Sequence, residues 1–260
     1  MSEPPRIDKE YLRFQWSHRH PLHLKLVRIF NALMAAVPFR IKYGIGLRFR
    51  RSKPPYSLLR SDSVVVQVGA PRDTLRAGRS RAMYFALLVQ PHGRLVVVEA
   101  DPESARSFEE AAAARGLKGV TVCTKAAWSE RAELNLHFKN SHPAAGFVED
   151  CADYTEDEAR QFAVASIPAD SLDNILASLT PDSEQVRLLS VTTNGAEEKA
   201  LEGARGQLAK GVAYISLART GPKLDELMRS LGYQHFAHDD RGFTFCRTNA
   251  PAAASENSGP

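Results

Sequence analysis

The chain has 260 residues, 43% hydrophobic and 25% charged, enough to build one domain of about 200 residues with extensions. Three cysteines, Cys123, Cys151 and Cys246, are odd in number and lack zinc spacing; this argues against a disulfide framework and reads as reduced, mostly buried thiols. The formal charge of +4 is unevenly placed: Tyr11 to Ser61 holds eleven of the 34 Lys and Arg and no acid, so the rest carries 23 basic against 30 acidic residues, a net −7.

Residues 1–60 read as a basic amino-terminal extension, with Met1 to Glu10 polar and expected to be disordered. Leu22, Leu26, Phe30, Leu33 and Val37 recur at helical spacing with Ile29 alongside, while Lys25, Arg28 and Asn31 fall off the stripe. The spacing predicts an amphipathic helix ending before Pro38. Its apolar run is too short to span a bilayer, and it lacks the form of a cleaved signal peptide. Three readings stay open. The stripe could pack on the following domain. It could lie on an anionic membrane surface, with Arg48, Arg50, Arg51 and Lys53 adding attraction. It could form an oligomer or partner contact. Tyr43 and Phe49 among the basic residues could stack on bases, but no nucleic-acid-binding fingerprint accompanies them, and that reading is disfavoured. A cytoplasmic protein, with peripheral membrane association as an option, is the expectation.

The domain proper is expected over residues 61–248. Val64 to Val68 and Arg94 to Val98 are short, almost continuously apolar runs, as in strands buried on both faces. A helix-like run from Arg79 to Gln90 and a break at Pro91-His92-Gly93 separate them, which makes one βαβ unit. Ligands of open parallel sheets bind at the carboxyl ends of the strands. Gly69 stands at the first such end, where a missing side chain lets backbone approach a ligand. Glu99 stands at the second. There it could accept hydrogen bonds from both hydroxyls of a ribose, or simply face water. Gly69 is followed by Ala70, Pro71, Arg72 and Asp73, with Gly78 later, so neither the dinucleotide fingerprint nor a P-loop is present. A nucleoside cofactor without phosphates fits better.

Further along, Pro102 to Arg115 reads as a helix capped by Gly116, and Gly119 to Cys123 as a third strand. Ala126 to Ser129 reads as the loop beside a cofactor's base, where Ala126 gives room and Trp128 could stack on a ring or sit in the core. Glu133 to Phe138 alternates as an antiparallel strand does. Lys139 to Tyr154 reads as a loop that could shape a substrate pocket or merely connect elements. Phe162 to Ile167 is a further strand. A helix through Leu179 follows, with Asp170 or Ser171 as its cap. Val186 to Val191 and Val212 to Leu217 are buried strands flanking one helix from Ala196 to Lys210. Pro222 to Leu231 is a helix. Tyr233 to His238 and Gly242 to Arg247 form a terminal hairpin, and residues 249–260 form an Ala/Ser-rich tail expected to be disordered.

These motifs, in this order, resemble the FkbM family of S-adenosylmethionine-dependent methyltransferases, over about Ser61 to Arg247. The family's D-V-G-A-N-x-G corresponds to Gln67-Val68-Gly69-Ala70-Pro71, and its E-P-x-P to Glu99-Ala100-Asp101-Pro102. Its L-D corresponds to Leu172-Asp173, and its K-I-D-V-E-G-x-E to the stretch from Ser190 to Glu197. Its L-x-G-A is similar to Leu201-Glu202-Gly203-Ala204, and its G-Y to Gly232-Tyr233. The chain departs from the pattern where Gln67, Pro71, Ser190, Thr192 and Asn194 replace Asp, Asn, Lys, Asp and Glu, so four ionisable positions have become neutral.

The resemblance implies an α/β class I methyltransferase-like (Rossmann-like) fold, a mainly parallel sheet with a terminal antiparallel hairpin. It implies S-adenosylmethionine as cofactor, held by Gly69, Ala70, Glu99, Ala126 and Thr192, and O-methylation of a small molecule or glycan. In-line positioning would supply much of the rate, and a hydroxyl acceptor also needs a base. His142, Asp150 and Asp153 are the loop candidates for that base, with His137 a further one; no metal is expected. The alternative reading is a catalytically degenerate binding or scaffold protein of the same fold.

Overall fold

The structure is a computed structural model that describes residues 21–139, 143–148, 160–179, 184–218 and 221–248. The terminal expectations, for Met1 to Glu10 and for residues 249–260, lie outside the described residues, as does Cys151.

β1 (Val64–Val68), β2 (Arg94–Val98), β3 (Val120–Cys123), β8 (Val186–Val191), β9 (Tyr214–Leu217), β10 (Tyr233–His238) and β11 (Phe243–Arg247) form one sheet. Their spatial order is β10-β11-β9-β8-β1-β2-β3. Pairing is parallel from β3 through β9, and β11 is antiparallel to both its neighbours. This is a class I methyltransferase-like architecture, a mainly parallel sheet closed by an antiparallel hairpin. The chain order reverses between β1 and β8, which makes their carboxyl ends the switch point where such sheets bind ligands.

The apolar runs form strands because both faces of the sheet are covered. Val64, Val66 and Val68 enter one core with Leu189, Val191, Leu172, Leu176 and Leu201. Val65 enters the opposite core with Leu95, Leu188, Met83, Phe85 and Phe108. Burying each of these side chains stabilises the fold by about 1.5–3 kcal/mol before the entropy of ordering is subtracted.

The helices differ from expectation in three places. Where one amino-terminal helix is predicted, α1 (Pro21–Ala36) is followed by α2 (Phe39–Arg50). Apolar and basic residues alternate in α2 in a way that hides its period, but Tyr43 and Gly46 share its buried face. A short helix that was not expected, α3 (Arg72–Arg76), follows β1, and the run predicted from Arg79 to Gln90 forms α4 (Arg81–Leu88), started by Ser80, whose hydroxyl accepts from the Met83 amide at 3.3 Å. α5 (Pro102–Ala113) and α6 (Leu172–Leu179) stand as expected, α6 capped by the Ser171 hydroxyl. The predicted single helix from Ala196 to Lys210 is broken into α7 (Glu197–Glu202) and α8 (Arg205–Lys210). At the break, a side chain on Gly203 would collide with the Trp128 carbonyl, so the close approach to Trp128 requires glycine there. α9 (Pro222–Ser230) precedes the hairpin.

A second, four-stranded sheet contains β4 (Ala126–Trp128), β5 (Ala132–Phe138), β6 (Phe147–Val148) and β7 (Ala163–Ser171), in the order β4-β7-β5-β6. The expected loop at Ala126 is therefore a strand, drawn into pairing by β7, which runs four residues past the predicted end at Ile167.

Candidate functional site

The carboxyl ends of β1 and β8 are bound tightly together. The Thr192 amide donates to the Val68 carbonyl at 3.0 Å, and the Thr192 hydroxyl donates to the same oxygen at 3.0 Å. Gly69 turns the chain with φ of +85°, and a Cβ on it would lie 2.5 Å from the Thr192 carbonyl oxygen. Both the positive φ and the contact require glycine. The fully buried Gln67 amide nitrogen donates to the Val68 carbonyl at 2.7 Å, the Gly69 carbonyl at 2.8 Å and the Thr192 hydroxyl at 2.7 Å. Two carbonyl partners on one side settle which end of the amide carries nitrogen. The other end, Gln67 Oε1, is buried with no hydrogen-bond partner among the described residues.

Glu99 lies at the end of β2 and is 8% exposed. Its Oε2 accepts from the Ala70 amide in a very close contact, and its Oε1 accepts from the Asp101 amide at 2.9 Å. Burial pushes the Glu99 carboxyl up to about 7; the amides of Ala70 and Asp101 favour the ionised form but do not cancel that cost. A carboxylate has about four acceptor sites, so two remain after both amides are served. Asp101 next to it caps α5, accepting from the amides of Glu103 and Ser104, each at 3.2 Å.

Asn194, in the loop after β8, donates to the Ala144 carbonyl at 2.9 Å and the Gly146 carbonyl at 2.6 Å. The turn Pro143–Ala145 also packs against α3, which leaves Gly69. The segment before β6 thus roofs the switch point. His137 on β5 stacks on Phe147 of β6 with ring centroids 4.7 Å apart, and neither ring nitrogen has a hydrogen-bond partner among the described residues. His142, Asp150 and Asp153 lie outside the described residues.

Ala70 is buried beside Glu99, and Ala126 enters a small core with Leu136, Ile167 and Ala169, against which Ala100 and Trp128 pack. Asp173 of the Leu172-Asp173 pair accepts from the amides of Gly206 at 2.7 Å and Gln207 at 2.8 Å, so it caps α8 and acts in folding. Glu197 is buried and accepts from the Gly195 amide at 3.1 Å.

One cluster has no counterpart in the sequence reading. Gln67, Ser190, Ser216 and Thr244 are fully buried and stand in one row across β1, β8, β9 and β11. From the first turn of α4, Arg81 donates to Ser216 Oγ at 2.6 Å, Asp239 at 2.8 Å and Asp240 at 2.5 Å. Asp239 also accepts from Ser216 at 2.6 Å and Thr244 at 2.8 Å. The signal was a small or amide polar residue one position in from the carboxyl end of β1, β8 and β9, and one in from the start of the antiparallel β11.

No family model matches the chain, and no curated protein matches it. Among solved structures, it is similar to a methyltransferase FkbM from Methylobacillus flagellatus KT, with 13% identity and a TM-score of 0.47 over 72% of this chain and 44% of that one. It is similar to a SAM-dependent methyltransferase from Aquifex aeolicus, with 13% identity and a TM-score of 0.39 over 87% of this chain and 95% of that one. Fibrillarin from Aeropyrum pernix, in complex with natively bound S-adenosyl-L-methionine, has 11% identity and a TM-score of 0.42 over 79% of this chain and 74% of that one. At this level of likeness, the strand order of the chain itself defines the fold.

Proposed function

We propose that the chain binds S-adenosylmethionine at the β1–β8 switch point and transfers its methyl group to a hydroxyl of a small molecule or glycan. The observation that carries this reading is the donor and acceptor set at the strand ends. Glu99 keeps two acceptor sites for ribose hydroxyls, and the buried Gln67 Oε1 lacks a donor that an ammonium group could supply. These groups suit a nucleoside with a cationic tail, and Gly69, Ala70, Ala126 and Thr192 would complete the site. When bound, such a cofactor supplies an electrophilic methyl group. The chain's own part is to orient the acceptor, exclude water and hold its proton. The segment held by Asn194 would close that space, and His137, His142, Asp150 and Asp153 are the candidates for the base.

A second reading, a binding or scaffold protein of the same fold, is favoured by one observation. Thr192 and Gln67 use their polar groups to tie β1 to β8, where the FkbM pattern has carboxylates. Calorimetry with S-adenosylmethionine and S-adenosylhomocysteine on the full chain tests both. Binding of either ligand with one-to-one stoichiometry is expected. Absence of binding by both would end the methyltransferase reading and leave the second.

A further inference from the structure

The described part of the amino-terminal extension carries most of the large apolar surface that the fold leaves uncovered. Among the described residues, ten large apolar side chains are exposed, and eight of them lie on α1 and α2. On α1, Leu22, Leu26, Ile29 and Leu33 stand at positions i, i+4, i+7 and i+11, one face of a helix; Leu22 is 78% exposed and Leu33 66%. On α2, Ile41, Ile45 and Phe49 repeat the i, i+4, i+8 pattern, with Phe49 69% exposed. Of the three readings left open for the stripe, packing on the domain does not fit these outward-pointing side chains, and a membrane surface or a partner contact remains.

The opposite faces are fastened to the domain. Tyr43 is buried and donates to the Leu75 carbonyl at 2.9 Å. Lys42 donates to the Arg76 carbonyl at 2.7 Å and the Met34 carbonyl at 3.1 Å, tying α2 to both α3 and the last turn of α1. Arg79 donates to the Asn31 side chain at 3.2 Å. Both helices are thus held in place while their apolar stripes remain uncovered.

We propose that α1 and α2 form an interfacial docking face for bilayers containing anionic lipids. The charge argues for this occupant. Lys25, Arg40, Arg48, Arg51 and Lys53 are exposed beside the stripes, and the whole stretch from Tyr11 to Ser61 contains no acid. Apolar side chains flanked by cations suit the headgroup boundary, where the stripe enters the acyl region and the cations meet phosphates. A second copy docked through this face would bring Lys25, Arg40, Arg48, Arg51 and Lys53 against their own counterparts with no acid in the segment to offset them. No helix among the described residues is long and apolar enough to cross a membrane, so the helices lie on the surface. Because α2 is fastened to α3, docking holds the Gly69 end of the sheet close to the interface.

Flotation of the full chain with phosphatidylcholine vesicles, and with phosphatidylcholine vesicles containing phosphatidylserine, tests this. The protein should float with the anionic vesicles at low salt and less at high salt, because salt shortens the range of the attraction. The triple variant Leu26→Glu, Ile45→Glu, Phe49→Glu should reduce bound protein by about tenfold or more. Those side chains are exposed, so its thermal melt should match the wild type. Arg48→Glu with Arg51→Glu is an independent variant that should reduce binding to anionic vesicles while retaining the apolar stripe. No flotation at low salt, equal binding to neutral vesicles, or wild-type binding by both variants would overturn the proposal. So would a wild-type dimer that the triple variant converts to monomer with no vesicle binding, which would assign the face to a second copy.

Discussion

Arg81 and Asp239 are joined at 2.8 Å with side chains 3% and 0% exposed, so an ion pair is sealed beneath the carboxyl rim of the sheet. The pair ties the first turn of α4 to the turn of the terminal hairpin. Ser216 and Thr244 complete the acceptor sites of Asp239, and Asp240 shares the guanidinium. Tyr56 donates to Asp240 at 2.7 Å, and Arg50 of α2 donates to it at 3.3 Å. The network therefore runs from the amino-terminal helices through α4 to the last hairpin.

Asp239→Ala should destabilise the fold by about 3–5 kcal/mol, because it leaves the Arg81 charge buried without its innermost partner. The double variant Arg81→Met, Asp239→Leu removes both charges and should cost less than the single variant. Urea unfolding of the three proteins measures both differences. A single variant within about 1 kcal/mol of wild type would show that water reaches Arg81.

The same network sets a response to acid. Burial alone would raise the Asp239 carboxyl, but Arg81, Ser216, the Arg241 amide and Thr244 together hold it below the ordinary carboxylate range. Asp240 is likewise held low, with Arg81 and Tyr56 outweighing burial. A carboxyl depressed in the folded state contributes stability that is present above its unfolded pKa of about 3.9 and is lost as pH falls through the folded value. Stability should therefore fall as pH drops below about 4, and Asp240→Asn should flatten that fall. Thermal melts across the acid range check the slope.

In the FkbM pattern that the sequence resembles, Asp stands where this chain has Gln67, which invites Gln67→Asp as a repair. The contacts predict the opposite. The amide nitrogen donates to two carbonyls and the Thr192 hydroxyl, and a carboxylate can only accept. The substitution would set a buried charge against two carbonyl oxygens. It should lower stability by about 2 kcal/mol or more and weaken cofactor binding. Thermal melting and calorimetry of this variant provide the measurement, and a stability gain would refute the assignment of the Gln67 amide.

The central strands were legible because burial on both faces writes a continuous apolar run. Val64 to Val68, Arg94 to Val98 and Val186 to Val191 match the predicted bounds, and the turn at Asp239 to Gly242 marked the hairpin. The second sheet was legible only in part: the strands predicted at Glu133 to Phe138 and Phe162 to Ile167 stand as β5 and β7, but their partner β4 was missed. Ala126 to Trp128 carries no alternation, and only pairing with β7 makes it a strand. Gly69 and Glu99 were visible as strand-end residues, but their partners depend on contacts distant in sequence. Thr192 closes on Gly69 from 123 residues away. Arg81 finds Asp239 from 158 residues away, and no local period records either meeting.

The last prediction concerns Glu99, whose carboxyl is pushed up to about 7 by burial. A carboxyl raised in the folded state contributes stability that is full below its unfolded pKa of about 4.3 and is lost as pH rises through the folded value, so the ligand-free protein should lose some stability towards pH 7. Ribose hydroxyls donate, so they favour the ionised form. Affinity for S-adenosylmethionine should rise between about pH 6 and about pH 8, with proton release on binding near the midpoint. Glu99→Ala should weaken binding by roughly 1.5–3 kcal/mol and remove this pH dependence. Gln is a poorer test, because its N–H2 would face the amide of Ala70 or Asp101. Calorimetry at several pH values, in two buffers of different ionisation enthalpy, reads affinity and proton release together. A folded Glu99→Ala protein with wild-type affinity and the same proton release would remove Glu99 from the ribose site and leave it the structural role of joining Ala70 to Asp101.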